Sequence, residues 1–233
     1  MKRMVNGMLN RVGQWILVAG AVVALAGAAH ASPILIFNTG VDTLGNPLPN
    51  GTVGDSHYVL ITVPSGSTAI QVRTSAGGFP INGPWIGDDS LSAWIRPDNP
   101  GPPNDPGGTY DYQTTFDLTG LNPATAVLIG QWATDNTGSD IVINGVSTGH
   151  TAAGFGGWSS FTLSSGFIAG VNTLDFIVYN VPQEFGNPTG LRVEMSGTAA
   201  VPEPSSLAQL FMQFGIVLVV AFGANKARQI RNA

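Results

Sequence analysis

The stretch Tyr110-Asp111-Tyr112-Gln113-Thr114-Thr115-Phe116-Asp117-Leu118 decides the fold class. Side chains alternate along a strand, so Tyr110, Tyr112, Thr114, Phe116 and Leu118 share one face and Asp111, Gln113, Thr115 and Asp117 the other. The first face suits a core and the second suits water. Outward from this segment, short β-branched and aromatic runs recur between turn signals. They predict strands at 34–37, 58–63, 69–74, 92–95, 110–118, 126–133, 140–143, 159–163, 173–180 and 191–196. No apolar pattern of helical period runs long enough for a three-turn helix. The class is all-β, and a single β-sandwich over residues 32–200 is expected.

Turn chemistry agrees with this. Asn144-Gly145 follows Ile141-Val142-Ile143, and both turn residues tolerate the positive φ that a tight hairpin demands. Residues 97–108 are all Pro, Gly, Asn or Asp, a composition that forms neither helix nor strand interior. The segment could divide two domains, but residues 32–96 alone would make a marginal core without a disulfide. One sandwich with a long exposed loop at 97–108 is therefore expected.

Composition narrows the function classes. The chain has 233 residues, 43% of them apolar, with 31 Gly and 16 Pro and no collagen-like triplet period. Charged residues make up only 10%, against about 25% in ordinary soluble domains, and a polar, uncharged surface suits an extracellular protein. Residues 32–200 hold thirteen acids but only Arg73, Arg96 and Arg192 as bases, a net charge of −10 with no Lys. Nucleic acid, whose phosphates need a basic face, is excluded as a partner. The absence of Cys removes disulfides and thiolate chemistry.

The two ends read as addresses. Lys2, Arg3 and Arg11, an apolar run at 15–29 and the tripeptide Ala29-His30-Ala31 form a signal peptide over residues 1–31, with cleavage before Ser32. The alternative is an uncleaved anchor helix. Residues 207–224 are apolar except for Gln209 and Gln213, and Lys226, Arg228 and Arg231 follow. Such a helix would span about 27 Å and just cross a bilayer, with the basic end cytoplasmic. Before it stands Val201-Pro202-Glu203-Pro204-Ser205-Ser206, whose prolines hold the chain extended and open to a protease.

The order of Pro202-Glu203-Pro204, apolar helix and basic end over residues 201–233 resembles the PEP-CTERM sorting tail of Gram-negative bacteria. The resemblance implies an exosortase-type sorting protease as partner, transient anchoring in the inner membrane, and a destination on the envelope surface or in an exopolysaccharide and biofilm matrix. It makes Pro202, Glu203 and Pro204 the recognition motif. The two Gln and the interspersed basic residues depart from the pattern and bear on how efficiently the tail is cleaved. An ordinary linker before an anchor is the alternative.

A second resemblance covers about 109–196. Tyr110-Asp111-Tyr112-Gln113-Thr114-Thr115-Phe116, then Gly130-Gln131-Trp132-Ala133-Thr134-Asp135-Asn136 with Ile141 to Gly145, and Gly170-Val171-Asn172-Thr173-Leu174-Asp175-Phe176 are similar to the galactose-binding-like jelly roll. That fold implies a carbohydrate-binding scaffold, although its members bind various ligands or none.

Catalysis finds little support. His57 and His150 lack metalloprotease spacing, no nucleophile elbow is present, and Asp55-Ser56-His57 reads as a turn because adjacent residues cannot form a triad. A glycosidase pair could be drawn from the acids, but nothing distinguishes two of them, and no enzyme is expected. Binding has more to work with. Trp85 and Trp158 sit in apparent loops and are the candidate sugar platforms, with burial as the alternative, whereas Trp94 and Trp132 are expected in the core. Asp135, Asn136 and Asp140 form an oxygen-rich loop that could hold Ca²⁺, the alternative being turn caps that bond their own backbone. Asp88-Asp89 reads in the same two ways. The expected protein is exported and non-catalytic, and associates with extracellular polysaccharide. A purely structural matrix protein and an ice-binding protein are the alternatives, and no regular Thr repeat favours ice.

Overall fold

Tyr110, Tyr112, Thr114 and Phe116 all point into a core, and Leu118 is buried with them, as the alternation predicts. The computed structural model describes residues 30–202, apart from 82 and 100–103. The described strands, in chain order, are β1 (Ala31–Pro33), β2 (Tyr58–Thr62), β3 (Ile70–Arg73), β4 (Trp94–Pro97), β5 (Gly108–Asp117), β6 (Val127–Asp135), β7 (Thr137–Ile143), β8 (Val146–Ser147), β9 (Ser159–Leu163), β10 (Val171–Asn180) and β11 (Gly190–Ala200). One sheet runs β3-β4-β11-β6-β9, with β1 also on β11, and the other runs β2-β5-β10-β7-β8. Every pairing is antiparallel. The only helical pieces among the described residues are two short 3₁₀ turns, Ser75–Gly77 and Pro123–Thr125.

The inner faces of the two sheets meet as a β-sandwich. From the six-stranded sheet come Ile70, Val72, Ile95, Leu128, Trp132, Phe161, Leu191 and Val193; from the five-stranded sheet come Tyr58, Leu60, Tyr112, Ile141, Leu174, Phe176 and Val178. Phe176 packs against both Trp132 and Phe161, with ring centroids 5.6 and 6.1 Å apart. Each such side chain, fully buried, stabilises the fold by roughly 1.5–3 kcal/mol. The hairpin at Asn144-Gly145 has φ of 49° and 79°, the left-handed geometry expected of it.

Two expectations are corrected. The strand placed at 34–37 lies instead at Ala31–Pro33. Beyond Pro33 the chain stays beside β11 through main-chain bonds from Ile34 N to the Gly197 carbonyl and Thr39 N to the Val193 carbonyl, and side chains add to them: Asn38 Oδ1 accepts from Met195 N and Thr39 Oγ1 from Val193 N. Within the segment expected as a long exposed loop, 97–108, Asp105 is instead buried in the domain. Its carboxylate accepts from Arg96, Asn99 and Thr189 N, and its carbonyl from Asn180 and Asn187. Asp105 and Arg96 form a buried ion pair of 2.9 Å.

Candidate ligand-binding site

On the outer face of the six-stranded sheet, alternation places Trp94, Ala133, Asp135, Arg192 and Glu194 away from the core. Open water would be expected over them, yet Trp94, Ala133 and Arg192 are fully buried. The chain between β3 and β4 folds back across this face and lays Ile81 and Trp85 on it, with Phe155 and Trp158 packed alongside from the segment before β9. The result is a second, smaller apolar cluster outside the sandwich.

Trp85 is therefore no exposed platform. It is 3% exposed, its ring packs 4.2 Å from that of Trp94, and its Nε1 donates to Asp135 Oδ2 at 2.9 Å. The flanking Asn-Gly-Pro was a sound loop signal. A loop that folds onto a sheet buries its aromatic residue all the same.

Trp158 is placed differently. It is half-buried, and the Arg192 guanidinium carbon lies 5.2 Å from its ring centroid, within cation–π range. Arg192 is held from every side: Nε donates to Ser92 Oγ, Nη1 to the Gly87 carbonyl and Nη2 to the Ser92 carbonyl, and Nη2 pairs with Asp89 at 2.8 Å. The support under the ring is fixed in place. The ring lines a cleft of about 430 Å³ with Asn136, Thr137 and the Gly154–Gly157 segment. Its indole N–H makes no hydrogen bond among the described residues.

Asp135, Asn136 and Asp140 are not gathered as a Ca²⁺ site. Asp135 ends β6 in one sheet and Asp140 lies in β7 of the other, with the chain crossing between them at Asn136. Their oxygens serve separate partners: Asp135 Oδ2 takes Trp85, Asn136 Oδ1 takes Val181 N, and Asp140 Oδ1 takes Gly149 N. No group of three or more His, Asp or Glu suited to a metal occurs among the described residues. Asp88 accepts from Ser75. Asp89 caps Leu91 and Ser92 with one oxygen and pairs with Arg192 through the other. Asp55 closes its own turn by accepting from His57 N and Tyr58 N.

Two carboxyls stand apart electrostatically. Burial pushes Asp135 up to about 7, against the Trp85 hydrogen bond and with help from nearby Asp105, and its Oδ1 is buried with no hydrogen-bond partner among the described residues. Burial and the neighbouring Asp175 raise Asp111 to about 6. Sequence reading missed Asp135's burial and Arg192's place under Trp158. A signal for the second was present: in Leu191-Arg192-Val193-Glu194-Met195 the charges alternate with core residues. A domain that keeps Arg while lacking Lys uses guanidinium where planar, multidentate pairing is needed.

Of the segments expected to be addresses, only their borders are described. Ala31 and Ser32 lie in β1, opposite Ala200 and Ala199. Pro202 is exposed just past β11. Ala29, Glu203, Pro204 and the helix expected at 207–224 lie outside the described residues. No described helix is long and apolar enough to cross a membrane. No family model matches the chain, and no curated protein matches it in sequence.

Proposed function

We propose that this chain is an exported, envelope-sorted, non-catalytic protein of an exopolysaccharide matrix in a Gram-negative bacterium, and that it binds carbohydrate through Trp158. Its sandwich is read as a galactose-binding-like jelly roll, and its tail as an exosortase substrate with Pro202, Glu203 and Pro204 as the motif. The observation that carries the binding reading is the Trp158 ring. It is backed by a fully engaged guanidinium, lines a cleft beside Asn136 and Thr137, and its indole N–H has no hydrogen bond among the described residues. A fixed ring stacks on the C–H face of a sugar without losing conformational entropy, and neighbouring amide and hydroxyl groups order the sugar hydroxyls.

The placement of the ends supports the sorting reading. Ala31 and Ala200 are paired across β1 and β11, so the residues that border the two segments read as addresses are neighbours in one sheet.

A glycan array probed with the exported protein and with Trp158→Ala tests the binding reading. Binding by the wild type that the variant loses, with a thermal loss well below that of Trp132→Ala, is the expected result. No binding to any glycan would leave a structural matrix role as the better account.

A further inference from the structure

We infer that the Trp158 cleft is one end of a longer track, and that its ligand is an extended chain of uncharged polysaccharide rather than a single sugar or an acidic polymer. This rests on the carbohydrate reading above and adds a second set of contacts to it. The contacts lie on the open half of the six-stranded sheet's outer face, in a groove of about 510 Å³. Register arranges its floor in two rows. Glu194, Gln131 and Ser160 stand side by side across β11, β6 and β9, and Ser196, Ile129 and Thr162 form the next row.

The row above these is Arg192 and Ala133, where Trp158 stands on Arg192. Residues two apart on a strand are separated by about 6.7 Å. The Trp158 support is therefore one row from the groove, and the groove continues for two rows beyond it. Trp158 stands on the same side of the sheet as Ser160, which borders the groove. The Arg192 and Ala133 row is itself buried, so a ligand reaches only the Trp158 ring above it and the two open rows, and only a chain spans both.

Charge fixes the class of chain. The groove's one carboxylate is occupied: Glu194 Oε1 accepts from Ser92 Oγ, Oε2 accepts from Gln131 Nε2, and Arg192 lies 3.7 Å away. Arg192 is in turn claimed by Asp89, which leaves the Arg192, Asp89 and Glu194 group with one net negative charge. Arg96 is buried against Asp105, and Arg73 lies in β3 at the far edge of the sheet. Among the described residues no Arg is left available to an anionic ligand at the track, and the net charge of −10 over residues 32–200 repels one. Ser160, Thr162, Ser196 and the amide of Gln131 are the hydroxyl and amide groups that an uncharged sugar chain uses.

The test uses the full chain in detergent micelles. Length ladders of neutral gluco-, galacto- and manno-oligosaccharides and of oligogalacturonates, two to six units long, are titrated at low and physiological salt. Neutral oligomers should gain affinity with length, while uronates should bind worse at every length. Thr162→Lys and Thr162→Glu should both weaken the longest neutral oligomer about fivefold, roughly 1 kcal/mol, and leave the disaccharide unchanged. Tighter uronate binding, or opposite effects of the two Thr162 variants, overturns the uncharged class. If Trp158→Ala removes binding while length and Thr162 make no difference, the track is wrong and the single-site carbohydrate reading survives. Absence of binding to any probe overturns both.

Discussion

Trp85 and Asp135, fifty positions apart in sequence, are joined by a 2.9 Å hydrogen bond from the indole N–H to Oδ2. The bond ties the long connection before β4 to the end of β6 and closes the second apolar cluster over the sheet. It also leaves Asp135 as a buried carboxyl with one satisfied oxygen and one that has no partner among the described residues.

That carboxyl makes stability depend on pH. With Asp135 raised to about 7, the folded chain holds a proton that the unfolded chain releases near pH 4. The Asp135 contribution is therefore complete at low pH and falls as pH rises from about 4 through 7. Asp111, raised to about 6, acts in the same direction. Asp135→Asn keeps an acceptor for Trp85 and removes the titration. Denaturant midpoints at pH 5 and pH 8 should show the variant gaining on the wild type as pH rises; an unchanged difference would mean that Asp135 does not titrate in the fold.

Trp132 and Trp158 should respond oppositely to truncation. Trp132 is fully buried between the sheets, and Trp132→Ala should cost about 3–5 kcal/mol, a fall in thermal midpoint on the order of 10 °C in a domain of this size. Trp158→Ala gives up a cation–π contact of about 0.5–2 kcal/mol and part of a partly exposed ring. Calorimetry on both variants checks the order; an equal loss at Trp158 would make it a packing residue and remove it as a platform.

Gly138 in β7 is a packing requirement. A β-carbon there would lie 2.7 Å from the Ala152 β-carbon and collide with the Trp132 ring, so Gly138→Ala should cost about 1–3 kcal/mol through forced displacement. Gly157 meets nothing within 4 Å, and Gly157→Ala should be nearly neutral. Parallel unfolding curves distinguish the two sites.

Processing gives a fourth outcome. N-terminal sequencing of the exported protein should begin at Ser32, and retention of residues 15–29 would support an uncleaved anchor instead. Replacing Pro202, Glu203 and Pro204 by Ala should leave the chain in the membrane fraction. Normal release of that variant would remove the sorting reading.

The alternation at 110–118, the Asn144-Gly145 hairpin and most strand positions were legible in the sequence, because each depends on neighbours a few residues apart. Trp94 and Trp132 were likewise readable as buried, since both stand in runs of strand character. Trp85 was not: its flanking residues specify a loop, and nothing local says that the loop lies on a sheet. Asp105 was hidden for the same reason, a lone acid in a Pro/Gly/Asn/Asp segment whose partners Arg96, Asn180, Asn187 and Thr189 come from three separate stretches of chain. The sequence by itself determined the class, the turns and the charge balance. Only the tertiary structure decided which outward-facing residues stay wet, because the outer face of a sheet is exposed or buried according to what a distant connection lays across it.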